Sequence, residues 1–276
     1  MASLMELRRR LNTIQGLSRI SRGLRIINSY YMAAVRRDFE QMEAYEEALR
    51  DSVGAVLGLL PPEIIQSSRF INAPSLAPRV VLAFFSDGGL CGNYNELVTE
   101  GLASLKLTQN DKVYGIGTLA PDKLSDLGIK PVDYIGGLYQ SKNTPLLVDF
   151  FLGITEELFS ELWLVFVRSV PGREGQCVTQ KASPITLEVQ ARQGELLGEP
   201  EEIIDQVLSS YLTATMMRAF YTAAFSEFYM RWSAMTHAED KAKELADSVK
   251  VKISQTRQER VTRELQDIVG GMNYGG

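Results

Sequence analysis

The chain has 276 residues, 45% hydrophobic and 23% charged, with a net charge of −5, a globular composition that excludes wholesale disorder. A single histidine, His237, and two cysteines, Cys91 and Cys177, leave no disulfide framework, no four-ligand metal cluster and little for nucleophilic catalysis. No apolar run, such as residues 80–85 or 162–167, approaches the roughly 20 residues that cross a bilayer, and Arg8, Arg9 and Arg10 lead into no secretory-type apolar stretch, so the chain is expected to start at or near Met1 in a reducing compartment.

From Leu4 to Leu57, apolar residues recur every three or four positions: Leu4, Leu7, Leu11, Ile14, Leu17, Ile20, Leu24, Ile27, Tyr31, Val35, Phe39, Met42, Tyr45, Leu49, Val53, Leu57. Fifteen steps cover 53 residues, about 3.5 per step, which is the coiled-coil period. The first helix breakers are Pro61 and Pro62. A helix of that length needs a partner helix to cover its apolar stripe. Charge is concentrated here: residues 1–37 hold eight arginines and one acid, Glu6, a local +7 that leaves −12 for the rest. A basic stretch on an acidic protein points to an acidic partner surface, with nucleic acid as the other class to weigh. Arg19, Arg22 and Arg25 cluster within two turns with no neighbouring acid, which favours a partner-facing role over a solvated flank. Gly16 and Gly23 sit inside the same helix, as tolerated breaks or as points of close backbone approach.

Between about residues 79 and 199 the pattern changes to short runs rich in valine, isoleucine and aromatics, separated by Gly, Pro and Asp. Strands are expected at 79–86, 112–116, 131–135, 162–169 and around 185–188, with helices at 94–105, 120–127 and 144–157. The alternation predicts an α/β layer, its last two strands joined in a hairpin through Pro171, Gly172 and Gly175. In VVLAFFSDGGLCGNYN, residues 80–95, a buried-type strand runs into glycines and then a helix. Such a loop can cradle a phosphate, but its spacing fits neither G-x-G-x-x-G nor G-x-x-x-x-G-K-[ST], and no cofactor is expected. Cys91 has no nearby base in sequence and reads as structural.

No proline follows Pro200, and residues 201–269 are rich in strong helix formers. The clearest stripe is Met235, Ala238, Ala242, Leu245, Val249 and Ile253, resuming at Val261, Leu265 and Ile268. Two long terminal helices fit an antiparallel pair, with a separate body between them.

Four segments carry a family resemblance. SDGGLCGNYN is similar to the S-D-R-G-L-C-G-x-x-N segment of the gamma subunit of F-type ATP synthases. RISRGLRIINSYYMAAVRR, residues 19–37, resembles that family's K-I-T-x-A-M-x-x-V-A-A-x-K-x-R-R. Glu199 and Pro200 resemble its E-P-S-x-E lead-in, and VTRELQDIVGG, residues 261–271, resembles its [IV]-T-x-E-x-x-[DE]-x-x-x-G signature. Gly88, Leu24, Glu259, Arg260 and Met272 depart from the pattern, as in a divergent branch such as the sodium-pumping variants. The resemblance implies an α/β fold: a long antiparallel coiled coil of N- and C-terminal helices (1–60 and 201–276) and a Rossmann-like α/β body (75–198) inserted between them.

It implies a noncatalytic central rotor of an ion-transporting ATP synthase. The coiled coil would sit within the alpha and beta subunits of the catalytic head, and the body would be a foot on the epsilon subunit and the membrane rotor ring of c subunits. The location implied is peripheral, at the cytoplasmic face of a bacterial membrane, since no cysteine-bearing insert of the chloroplast kind is present. Partner contacts are implied at Arg8, Arg9, Arg19, Arg22, Leu24 and Arg25 on the first helix, and at Arg257, Gln258, Thr262 and Glu264 on the last. The apolar tip, residues 268–276, would turn in a bearing. Asp87, Gly88, Gly89, Cys91 and Gly92 would form a structural loop. The alternatives are a nucleic-acid-binding or scaffolding coiled-coil protein, which lacks interleaved aromatics and a basic balance, and a small α/β enzyme, for which one histidine supplies little chemistry. Neither nucleic acid nor a direct membrane span is expected.

Overall fold

The structure is a computed structural model that describes residues 3–137, 139, 144–187, 194 and 198–272. Among these, the elements in order are α1 (Leu4–Leu57), α2 (Pro62–Ser67), β1 (Arg79–Phe84), α3 (Tyr94–Ser104), β2 (Lys112–Ile116), α4 (Ala120–Asp126), β3 (Asp133–Ile135), α5 (Thr144–Glu156), β4 (Glu161–Arg168), β5 (Gln176–Ser183) and α6 (Pro200–Met272). They form two compact units: residues up to Asn28 with those from Arg231 onward, and Ser29–Met230.

The first unit is a helix pair. A capping box starts α1: the Glu6 amide donates to Ser3 Oγ at 3.2 Å and the Ser3 amide donates to Glu6 Oε2 at 2.7 Å, satisfying two orphan donors of the first turn. Leu7 and Ile14 pack with Ala242, Ala246 and Val249, flanked by Leu11 and Ile253. The helices run antiparallel, because Arg22 and Arg25 meet Glu239 while Gln15 and Ser18 lie beside Ala246 and Lys250.

The seam of this pair differs from the expected stripe. Along α1 up to Asn28, Leu7, Leu11, Ile14, Ser18, Ser21, Arg25 and Asn28 are buried or half-buried in a strict alternation of four and three, with Leu4, Gly16 and Leu24 half-buried beside them. The apolar reading took two threes in succession, Ile14 to Leu17 to Ile20, and so drifted off a 3.5-residue period by one position. Leu17, Ile20 and Ile27 are therefore outside, at 55%, 62% and 52% exposure, and polar residues occupy the seam. The same slip affects α6, where Glu239 and Ala246 are buried and Ala238 and Leu245 exposed. At Gly16 and Gly23 no atom of this chain lies within 4 Å of a built Cβ, so the chain itself makes no close approach there.

The second unit is a five-stranded sheet of order β3-β2-β1-β4-β5, with β1 to β4 parallel and β5 antiparallel. Central strand β1, RVVLAF, is buried at five of six positions, as a strand covered on both faces must be. One face packs against α5, the end of α1 and the first half of α6, through Val53, Leu57, Phe151, Ile154, Leu208 and Met216 among others. The other packs against α3 and α4 through Tyr94, Val98, Leu102 and Leu124. Within this unit α1 and α6 also touch, with Tyr31 stacked on Phe228 at 5.2 Å. Buried Glu46 of α1 is met by Arg50 at 3.0 Å, by Arg218 of α6 at 3.4 Å and by the Thr215 hydroxyl at 3.4 Å.

The hairpin through Pro171, Gly172 and Gly175 forms, and the Gly172 amide donates to the Tyr229 hydroxyl at 2.9 Å. The strand expected around 185–188 is instead β5, nine residues earlier in its start. QCVTQKAS has no apolar run because β5 is an edge strand with only Ala182 and Ser183 buried. Ile185 joins the core from beyond the strand, its amide donating to the Phe70 carbonyl at 2.7 Å, and Glu188 lies outside the described residues. The short helix α2 was not anticipated, since Pro61 and Pro62 read only as a stop; a proline at N1 also starts a helix.

Candidate functional site

Two surfaces carry the residues singled out in the sequence. The first is the outside of the helix pair. Arg8, Arg9 and Arg19 are exposed, and Leu24 is half-buried with its carbonyl accepting from Asn28 Nδ2 at 2.7 Å. Beside them run exposed Leu17, Ile20 and Ile27. A run of exposed aliphatics along one helix face, rimmed by cations, is the signature of a surface that a partner covers. Arg22 and Arg25 are engaged within the unit: their Nε atoms donate to the two oxygens of Glu239 at 3.0 and 3.1 Å, and Lys243 reaches the same carboxylate at 3.0 Å. The hydrogen bond from Lys243, followed by that from Arg22, pulls the Glu239 carboxyl down to about 2. Sequence reasoning missed Glu239. Counting back by three and four from Val249 through Ala246 and Ala242 lands on it, and would have found it.

On the far stretch of α6, Arg257, Gln258, Thr262 and Glu264 are all exposed. Thr262 Oγ1 donates to the Gln258 carbonyl at 2.9 Å, and Glu264 pairs with Arg260 at 2.9 Å. Val261, Leu265 and Ile268 are exposed at 47%, 58% and 58%, a second uncovered apolar stripe. Of the expected tip, residues 273–276 lie outside the described residues.

The second surface is the loop after β1. Asp87 ties it down: Oδ1 accepts from the Thr118 amide and hydroxyl at 2.8 and 2.9 Å and from the Gly137 amide at 2.8 Å, and the Asp87 amide donates to Glu227 at 3.2 Å. Ser86 and Asn95 bond reciprocally at 3.1 and 2.9 Å, so Asn95 closes the turn. Buried Cys91 Sγ lies 3.7 Å from the Gly88 carbonyl, while Gly92 takes φ +64° and Leu90, also at φ +64°, is 64% exposed. Gly89 has open space around a built Cβ. Asp87 thus ties the loop to the segments after β2 and β3 and to α6.

In doubly wound α/β sheets ligands bind in the crevice beyond the carboxyl ends of the strands. Here α6 fills that crevice with Phe220, Ala223, Ala224, Glu227 and Phe228, leaving a cavity of about 20 Å³, room for a water, whereas ligand pockets begin near ~300 Å³. Burial also raises the Tyr94 phenol well above its ordinary value, and its hydroxyl donates to the Phe84 carbonyl at 3.2 Å. Among the described residues no group of three His, Cys, Asp or Glu side chains could hold a metal, and no helix is long and apolar enough to cross a membrane.

A helix pair with uncovered apolar and basic faces, and an α/β body whose ligand crevice is filled by its own helix, offer partner surfaces rather than a small-molecule pocket at that crevice. A family model described as ATP synthase matches residues 3–273, and the chain belongs to that family, among its gamma chains. It is similar to the ATP synthase gamma chain of Clostridium perfringens, 26% identical over 98% of this chain and 97% of that one. The gamma chain of Staphylococcus haemolyticus is also 26% identical, over 98% of each. Among solved structures, the fold resembles a chain of the Tetrahymena thermophila mitochondrial ATP synthase central stalk and c-ring, with a TM-score of 0.57, 15% identity and coverage of 79% of this chain and 99% of that one. A chain of the Euglena gracilis mitochondrial ATP synthase, solved with OSCP, F1 and c-ring, gives 0.57 at 14% identity and 94% of each.

Proposed function

We propose that this chain is the central rotor of an ATP synthase, with its helix pair inside a ring of alpha and beta subunits and its α/β body, residues 75–198, standing on the epsilon subunit and the membrane ring of c subunits. The chain does no chemistry on ATP. A single asymmetric shaft in a threefold ring meets each catalytic subunit with a different face, and so favours a different conformation in each. Coupling is that differential binding, linked reciprocally to nucleotide affinity. The location that follows is peripheral, at the cytoplasmic face of a bacterial membrane.

The observation that carries this reading is the outward apolar stripe of Leu17, Ile20 and Ile27 beside exposed Arg8, Arg9 and Arg19. Aliphatics supply contact area, and the arginines supply charge contacts of modest size, screened by salt, to acidic surfaces of the ring. Arg22 and Leu24 border the same face, and Arg25 contributes through Glu239. Higher on α6, Arg257, Gln258, Thr262 and Glu264 face the ring, and Val261, Leu265 and Ile268 ride in its bearing. Asp87, Gly88, Gly89, Cys91 and Gly92 shape a loop that presents Leu90 outward.

The test is co-expression with the two large nucleotide-binding subunits of the same source. The expected result is a complex with one copy of this chain per three catalytic subunits, whose steady ATP hydrolysis depends on it. A chain that stays apart from them and leaves hydrolysis unchanged refutes the rotor role. Binding of duplex DNA at physiological salt would move the assignment to the nucleic-acid alternative.

A further inference from the structure

The helix pair presents a contradiction that needs a physical cause. Between residues 17 and 28 of α1 the seam holds Ser18, Ser21, Arg25 and Asn28, while Leu17, Ile20 and Ile27 face out. Hydrophobic burial alone favours the opposite arrangement. Positions 17, 20 and 27 each lie one residue before a seam position, and one residue is about 100° of helix rotation. Rolling α1 by that amount beyond Ile14, as the local overwinding at a coiled-coil stammer does, would bury the aliphatics against α6 and expose the polar residues. Leu7 and Ile14 hold the earlier part of α1 against Ala242, Ala246 and Val249, so the roll in question is one confined to the stretch after Ile14.

We infer that Glu239 is the positioning residue that holds α1 in its observed rotation, keeping the aliphatic face turned outward for its partner. Its carboxylate is 4% exposed and accepts from Arg22 and Arg25 of α1, with Lys243 of α6 as a third cation. The two arginines, three residues apart on α1, each engage one oxygen of the carboxylate, so the observed rotation of α1 satisfies both. A 100° roll would carry both guanidinium groups away and leave the carboxylate with Lys243 alone. It therefore trades two charge-assisted hydrogen bonds on a shielded carboxylate for burial of the aliphatic face. Buried polar groups in coiled coils act in this way, specifying one arrangement at some expense of stability.

The test uses thiol accessibility in the full chain carrying Cys177→Ser, with Ile20→Cys or Ser21→Cys added, and with buried Cys91 as internal reference. In the otherwise unchanged chain, maleimide labels Ile20→Cys at least about tenfold faster than Ser21→Cys. Adding Glu239→Leu levels or reverses that ratio while helix content by circular dichroism is kept. Glu239→Gln, which preserves shape, lowers the ratio in the same direction and serves where Glu239→Leu does not fold. Exchanging the charges, Glu239→Arg with Arg25→Glu, restores at least part of it. An unchanged ratio in both single variants overturns the inference. This arm does not depend on the rotor reading. A second arm rests on it: in the assembled complex, Glu239→Gln lowers ions pumped per ATP hydrolysed while hydrolysis continues. If the unaltered chain supports no coupled hydrolysis, the rotor reading fails and the labelling result still decides the role of Glu239. If that chain couples and Glu239→Gln couples equally, the positioning role in the rotor is refuted.

Discussion

Replacing Leu17, Ile20 and Ile27 together by serine separates the outward face from the core. Each side chain exposes slightly more than half its surface in the free chain, 55%, 62% and 52%. Burying a whole leucine or isoleucine contributes about 1.5–3 kcal/mol, so the surface still available to a partner is worth about 1 kcal/mol per residue and about 3 kcal/mol for the three. At about 1.4 kcal/mol per factor of ten, the triple variant binds the ring of large subunits roughly a hundredfold more weakly. Within the free chain the loss is at most the covered half, again about 1 kcal/mol each, with a small change in helix propensity. Had these residues filled the seam, each truncation would cost about 2–5 kcal/mol. The assays are urea unfolding of the free chain and titration of labelled chain into the head subunits. The expected pattern is a stability loss below about 3 kcal/mol in total with a large loss of affinity. A free-chain loss above about 6 kcal/mol, or unchanged affinity, refutes the outward placement.

Glu46→Ala leaves Arg218 without its carboxylate in a half-buried site and lowers the unfolding free energy by about 3 kcal/mol, the usual result of removing one partner of a buried pair; Asp51→Ala, on the exposed face of the same helix, changes it by less than about 0.5 kcal/mol. Gly117→Ala forces a Cβ to 2.1 Å from the Phe85 carbonyl oxygen at φ +107°, so thermal denaturation of the body falls by many degrees, whereas Gly89→Ala, with open space around it, leaves the melting temperature nearly unchanged. The Glu239 carboxyl is depressed in the folded chain to about 2 from about 4.3 when unfolded. Its contribution is therefore complete above the unfolded value and is lost as pH falls toward the folded one. The labelling ratio of Ile20→Cys to Ser21→Cys is expected to hold from neutral pH to about 4.5 and then to fall toward pH 2, read by a thiol–disulfide reagent that reacts in acid; a ratio that changes between pH 8 and 6 would assign the effect to another group.

How much of this could be read from the sequence depended on whether polarity and position agree. In the body they agree: RVVLAF is apolar because β1 is central, and alternation with helices predicted a parallel layer. At β5 they part, because an edge strand needs only a few buried positions, and QCVTQKAS carries too weak a signal to separate it from the apolar residues at Ile185 and Leu187. At the neck of the helix pair the signal was strong and led one residue astray. Leu17, Ile20, Leu24 and Ile27 form a better hydrophobic stripe than Ser18, Ser21, Arg25 and Asn28. The four-three alternation anchored by Leu7, Leu11 and Ile14 nevertheless places the second set inside. A coiled coil that had only to hold itself together would gain from putting the first set there. That it does not is explained if those aliphatics serve a second surface, which periodicity within one chain cannot register. On the proposed rotor reading, the discrepancy between the best apolar stripe and the true seam points to the partner-facing stretch of α1 more sharply than the arginines do. Exposed arginines need no partner beyond solvent, whereas outward aliphatics beside a polar seam leave more than half their surface unburied in the isolated chain.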